Sequence, residues 1–150
     1  MFGKRKIPNQ FSKEVKETIS FSMDEALRLG NDFISPEHLL LGLIREGDNT
    51  SVRILRSFNV DLNQLRKQVE TSVKDNTGKN PANIARLPLT EQAEKVIRIT
   101  VSEAKQLKSQ KIETEHIMLS ILRNKENPVA QILNDFNVNY DMFKEKALAG

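Results

Sequence analysis

Residues 34–45 read Ile34-Ser35-Pro36-Glu37-His38-Leu39-Leu40-Leu41-Gly42-Leu43-Ile44-Arg45. This is a helix with its start signal attached. Ser35 is an N-cap residue type, since its hydroxyl can accept from a free first-turn N–H. Pro36 suits the first helical position, where its missing N–H costs no hydrogen bond. Glu37 sets a negative charge against the positive end of the helix dipole. Leu39, Leu40, Leu41, Leu43 and Ile44 then cover almost every side, and a helix apolar all round is a buried one.

The same pattern recurs at residues 112–123: Ile112-Glu113-Thr114-Glu115-His116-Ile117-Met118-Leu119-Ser120-Ile121-Leu122-Arg123. His38 and His116 are the only histidines, and they lie 78 positions apart. The offset persists outside the motif, pairing Ile19 with Ile97, Glu25-Ala26 with Glu103-Ala104, and Phe58-Asn59-Val60 with Phe136-Asn137-Val138. Ungapped alignment of Ser12–Glu70 on Thr90–Leu148 gives 15 identities in 59 positions. An internal duplication follows. Two copies are too few for a solenoid, so a pseudo-twofold pair of helical bundles is expected.

With the flanking residues the total is eight helices and no strand. Ser12 caps a first helix, with Phe11 as its staple and a stripe of Val15, Ile19, Met23, Ala26 and Leu27 or Leu29, stopped at Gly30-Asn31. The apolar helix ends near Glu46-Gly47. Asn49 or Thr50 caps a short third helix, and Asp61 a fourth with Leu62, Leu65, Val69 and Val73. Thr90 opens the second copy. Its motif helix is capped by Glu113 or Thr114. A short helix follows from Pro128, and a last one from Asn139 carries Tyr140, Phe143 and Leu148. Residues 1–10 read as a flexible basic arm and 11–74 as the first repeat. Residues 75–88, rich in turn formers, read as a linker, and 89–150 as the second repeat.

Composition limits the function. There are 23 basic and 20 acidic residues, a net charge of +3, both signs interspersed, which is a solvated surface rather than a nucleic-acid footprint. With no cysteine, disulfides and thiolate metal sites are excluded. No segment approaches the length of a membrane span and the N-terminus lacks an apolar signal core, so a cytoplasmic chain without membrane contact is expected. Gly78-Lys79 lacks the rest of a phosphate loop, with Asn80 in place of the hydroxyl residue. No catalytic or metal motif appears. Adjacent Glu37/His38 and Glu115/His116 point about 100° apart on a helix and do not form an acid–base pair. Both histidines read as packed, hydrogen-bonded structural residues. The reading is therefore a binding module and not an enzyme. A helical nucleic-acid binder or a stand-alone adaptor is the alternative.

Arg28-Leu29-Gly30, the motif from Ile34 to Gly47 and its second copy resemble the double Clp-N repeat, the N-terminal domain of ClpC-type and ClpA-type Hsp100 unfoldases. Phe11-Ser12 and Leu89-Thr90 fit the same pattern, and the ClpC type fits best. The resemblance implies two four-helix repeats joined by a linker. It also implies ATPase rings, with their ATP and magnesium, in a longer hexameric chain, while the isolated domain is a monomer without a cofactor. It implies further that the domain receives protein substrates and adaptor proteins of the MecA kind, passing substrates to the ring and on to the ClpP peptidase.

In some ClpC-type domains the resemblance also implies phosphoarginine binding at the start of the motif helix. Free N–H groups and a hydroxyl can hold the phosphoryl group, and a carboxylate the guanidinium nitrogens. Carried onto this chain, the carboxylates are Glu37 and Glu115. The hydroxyls are Ser35 and Thr114, with Ser12 and Thr90 at the neighbouring first-helix caps. The tag-binding pattern runs Gly-Thr-Glu-His. Here the first copy has Ser35-Pro36, losing the threonine hydroxyl and one N–H. The second keeps Thr114 but has Glu113 in place of glycine.

Overall fold

The computed structural model describes residues 10–74 and 87–149; the proposed arm up to residue 9 and linker residues 75–86 lie outside them. Eight helices stand among the described residues: α1 (Lys13–Arg28), α2 (Pro36–Glu46), α3 (Thr50–Ser57), α4 (Leu62–Lys74), α5 (Glu91–Gln106), α6 (Thr114–Arg123), α7 (Pro128–Asp135) and α8 (Tyr140–Ala149). Local chemistry sets their ends. The side chains of Ser12 and Thr90 each accept a first-turn N–H at 3.1 Å, from Val15 and Ala93. Asn49 Oδ1 accepts from the Val52 N–H at 2.9 Å, and Asp61 Oδ1 from the N–H groups of Asn63 and Gln64. Gly47 ends α2 at φ 76°, a left-handed conformation that glycine adopts without a Cβ clash.

The duplication is visible in the packing. The helices α2 and α6 are central, touch each other, and each packs on both repeats. Exchanging repeats maps the α3–α6 contact onto α7–α2, α4–α7 onto α8–α3, and α2–α5 onto α6–α1, all present. The core follows from this. Leu39, Leu40, Leu41 and Leu43 of α2 and Met118, Leu119 and Ile121 of α6 are fully buried beside Leu55, Leu65, Leu133 and Phe143.

The chain segments ahead of α1 and α5 cross between repeats. The N–H of Ile112 donates to the Gln10 carbonyl at 2.7 Å, and the N–H of Ser12 to the Ile112 carbonyl at 3.0 Å. In the mirrored pair, Ile34 donates to Pro88 at 2.8 Å and Thr90 to Ile34 at 2.9 Å. These isolated bridges, Phe11 with Ile112 and Ile34 with Leu89, satisfy backbone groups that burial would otherwise leave unpaired. They run through Gln10 and Pro88, at the edges of the expected arm and linker.

Two expected stripes differ in detail. The α1 stripe packs on the core as expected but takes in more: Thr18, Ser22 and Glu25 are buried beside Val15 and Ala26, with Ile19, Met23, Leu27 and Leu29 half-buried against the core. The cause is Gly42: α1 passes so close to α2 there that small polar residues must face it. Leu148, expected in the last helix's apolar face, is 61% exposed, while Phe143 is buried. Five residues of helix turn Leu148 about 140° from Phe143, and Ala147 takes the inward place instead. No helix of the described residues is long and apolar enough to cross a membrane, and none of their His, Cys, Asp and Glu side chains cluster as a metal site would require.

Candidate functional site

Each motif helix is anchored at its start by its histidine. The Ser35 N–H donates to His38 Nδ1 at 3.0 Å, and the Glu113 N–H to His116 Nδ1 at 2.8 Å. A ring nitrogen that accepts from an amide carries no proton, so the His38 proton sits on Nε2, which lies 2.8 Å from Asn31 Oδ1. His38 is fully buried, and burial pushes its pKa down to about 4. His116 is shifted down for the same reason. Both histidines are structural, as expected.

The second repeat's motif start opens onto a cavity of about 270 Å³, lined by Glu14, Asn49, Thr50, Arg53, Glu113, Thr114 and Glu115. Three helix N-termini converge on it: α1 supplies Glu14, α3 supplies Thr50 and Arg53, and α6 supplies Thr114 and Glu115. The positive ends of their helix dipoles bring partial positive charge to the wall. Three carboxylates and one guanidinium share the space. One Glu115 carboxylate oxygen is buried without a hydrogen-bond partner. Burial, with the Glu113 charge adding to it, raises the Glu115 pKa above the ordinary carboxylate value; its own backbone N–H and Arg53 oppose the shift. Such a group is best satisfied by a donor entering the cavity.

The structure brings together Thr114 and Glu115, with Ser12 close by, because the Ser12–Ile112 hydrogen bond sets the start of α1 beside the start of α6. By the same exchange Thr90 stands near the start of α2 with Ser35 and Glu37. Each site is thus composite, taking its first-helix cap from the other repeat. The hydroxyls are largely engaged. Ser12 and Thr90 cap their own helices, and Ser35 is buried with its hydroxyl 2.9 Å from His38 Nδ1. Thr114, also buried, accepts from the Ser51 N–H and donates to Asn49 Oδ1, both at 3.4 Å, bridging the repeats.

Sequence reasoning missed Glu14, Asn49, Thr50 and Arg53. Asn49 recurs as Asn127 at the repeat spacing, a usable signal. Arg53 corresponds to Gln131, Thr50 to Pro128 and Glu14 to Gln92, so nothing periodic marks them. The same substitutions make the two sites chemically different. The α2 start keeps Glu37 but has no cation, hydroxyl or extra carboxylate at those three places.

Residues 10–136 match the family model described as the Clp repeat (R) N-terminal domain. The chain is 31% identical over 148 residues to the chaperone protein ClpB of Oceanobacillus iheyensis, and 30% identical over 148 residues to the negative regulator of genetic competence ClpC/MecB of Bacillus subtilis. Each alignment takes in 99% of this chain and 17% of the relative, so the chain spans about a sixth of these proteins. A ClpA homologue of Guillardia theta is 33% identical over 135 residues, so identity does not single out the ClpC type. In structure the chain is similar to the N-terminal domain of ClpD from Arabidopsis thaliana, with a TM-score of 0.77 at 20% identity over 97% of both chains. It is also similar to the Hsp104 N-terminal domain of Candida albicans, with a TM-score of 0.74 at 16% identity over 93% of this chain and 89% of that one. With the repeat, the exchanged bridges and the paired motif helices all accounted for, the chain belongs to the Clp repeat (R) N-terminal domain family.

Proposed function

We propose that this chain is the docking domain of a Clp unfoldase, taking substrate proteins and adaptors of the MecA kind, and that the cavity at the start of α6 reads phosphoarginine. The unfoldase rings with their ATP and magnesium, the hexamer they form, the ClpP peptidase they feed and a cytoplasmic setting belong to the same reading. The domain itself contributes binding and no catalysis.

The make-up of the α6 cavity carries the proposal. Its wall holds both signs, and phosphoarginine carries both. The phosphoryl oxygens suit Arg53 and the N-terminal turns of α3 and α6. The guanidinium nitrogens suit Glu115, whose buried oxygen has no partner, with Glu14 and Glu113 beside it. Inorganic phosphate would meet three carboxylates against one guanidinium, and plain arginine would leave the anion-binding side empty. Between the repeats, the half-buried Phe11, Ile19 and Ile97 line a small apolar depression of about 10 Å³.

The test is calorimetric titration with phosphoarginine, with arginine and inorganic phosphate as controls. One saturable site is expected, abolished by Glu115→Gln and retained in Glu37→Gln. Binding at the α2 start instead, or none at millimolar ligand, overturns the tag reading.

A further inference from the structure

The first repeat carries a second groove, of about 530 Å³, that shares no lining residue with the α6 cavity. Four guanidiniums surround it, one from each helix of the repeat: Arg28 of α1, Arg45 of α2, Arg56 of α3 and Arg66 of α4. Its floor is apolar, with Ile44 and Leu62 half-buried. We propose that this groove docks an acidic, amphipathic segment of a partner protein, whose carboxylates meet the arginines while its apolar side chains rest on the floor.

The charge accounting gives the sign. Glu25, 5% exposed, accepts from Arg28 at 2.7 Å and from Arg45 at 3.1 Å. Glu70 pairs with Arg28 at 2.5 Å and with Arg66 at 3.3 Å, and Asp24 reaches Arg45 only at 4.0 Å. Among the described residues the Arg56 guanidinium has no ion pair or hydrogen bond. Each guanidinium offers five donors in a planar fork, so Arg66 also keeps donors to spare. Arg28, Arg45 and Arg66 line the groove and are each at least 40% exposed at the side chain.

The second repeat shows that the scaffold does not require this arrangement. At the repeat spacing Gln106 stands for Arg28, Asn134 for Arg56, Lys144 for Arg66 and Asp141 for Asn63. Tyr140 replaces Leu62. Arg123 lies 5.2 Å over its ring and Lys144 5.9 Å, and its hydroxyl donates to Glu103 at 2.8 Å. Both repeats engage arginines with their own glutamates and an aromatic ring, Arg45 lying 4.8 Å over Phe21, but the first has four arginines around its groove and leaves Arg56 without a partner among the described residues.

The proposal rests on the reading of this domain as a protein dock, but not on the α6 cavity. The test is fluorescence anisotropy with a labelled peptide in which leucines recur every third or fourth position between glutamates. Controls are the same peptide with lysine for glutamate, and a single-stranded oligonucleotide. The acidic peptide alone should bind. Arg56→Glu should weaken it by about tenfold, Arg56→Lys should restore most of the loss, and salt should weaken it further. Arg56 is exposed and has no ion pair or hydrogen bond among the described residues, so its variants should stay folded, Arg56→Glu melting slightly below the parent because it sets a negative charge in the last turn of α3, and phosphoarginine titration should be unchanged in them. Equal binding of the lysine peptide, comparable binding of the oligonucleotide, or insensitivity to Arg56→Glu would overturn the proposal. If the acidic peptide fails to bind while phosphoarginine still binds, the groove is refuted and the α6 reading stands.

Discussion

A Cβ placed on Gly42 would lie 2.4 Å from the backbone carbonyl oxygen of Thr18. It would also lie 2.8 Å from the Ser22 N–H nitrogen, so neither neighbour is the free end of a flexible side chain. The second repeat solves the same crossing differently. Ser120 stands where Gly42 does, and its hydroxyl donates to the Val96 carbonyl at 2.7 Å. Gly42→Ala should therefore destabilise by about 2–3 kcal/mol through overpacking. Ser120→Ala, which loses one hydrogen bond, should cost about 1 kcal/mol. Urea melts of the two variants measure both. Equal losses would mean that α1 can move away from α2 at little cost.

Much of this architecture is legible in the sequence because the chain states it twice. The eight helices follow from periodicity and caps, and Asn59 and Asn137, left-handed at φ 62° and 66°, mark identical turns. The close approach at Gly42 could not be read, because a glycine inside an apolar helix gives no partner. Nor could the exchange of first-helix caps. Two similar repeats allow Ser12 to serve either motif helix, and the Ser12–Ile112 hydrogen bond decides. The α6 cavity was half legible: Thr114 and Glu115 sit in the motif, whereas Arg53 and Glu14 come from elements whose approach no local pattern encodes.

Lys108 occupies the position of Gly30 and adopts φ 58° where Gly30 adopts 79°. A residue with a Cβ pays about 1 kcal/mol for this conformation, partly offset because glycine loses more backbone entropy on folding. Lys108→Gly should thus raise stability by up to about 1 kcal/mol, and Gly30→Ala should lower it by about as much. Thermal denaturation would show both, and a destabilising Lys108→Gly would locate a contribution from the lysine side chain that outweighs the backbone strain.

His38 ties stability to pH. Its folded pKa is near 4 against an ordinary value of 6.5, so between these pH values the unfolded chain binds a proton that the folded chain refuses. The stabilisation is complete above about pH 6.5 and is lost progressively as pH falls towards 4. By the size of the shift it amounts to about 3 kcal/mol. His116, shifted the same way, adds to the slope. His38→Gln should lower stability at pH 7 but flatten its fall between pH 6.5 and 4. An unchanged slope, measured by urea melts across that range, would assign the acid sensitivity to the carboxylates.

The buried glutamates Glu25 and Glu103 answer to each other across the repeats but are compensated unequally. Glu25 holds two arginines, Arg28 and Arg45. Glu103, 2% exposed, holds Arg123 and the Tyr140 hydroxyl. Removing the only cation from a buried carboxylate leaves an uncompensated charge, whereas removing one of two does not. Arg123→Leu should therefore cost about 2–3 kcal/mol, below the full buried-pair penalty because the Arg123 side chain is itself 46% exposed. Arg45→Leu should cost about 1 kcal/mol or less. Tyr140→Phe removes a single hydrogen bond and should cost about 1 kcal/mol. Urea melts of the three variants measure these losses, and equal deficits in Arg123→Leu and Arg45→Leu would show that the two glutamates are held by their burial and not by their partners.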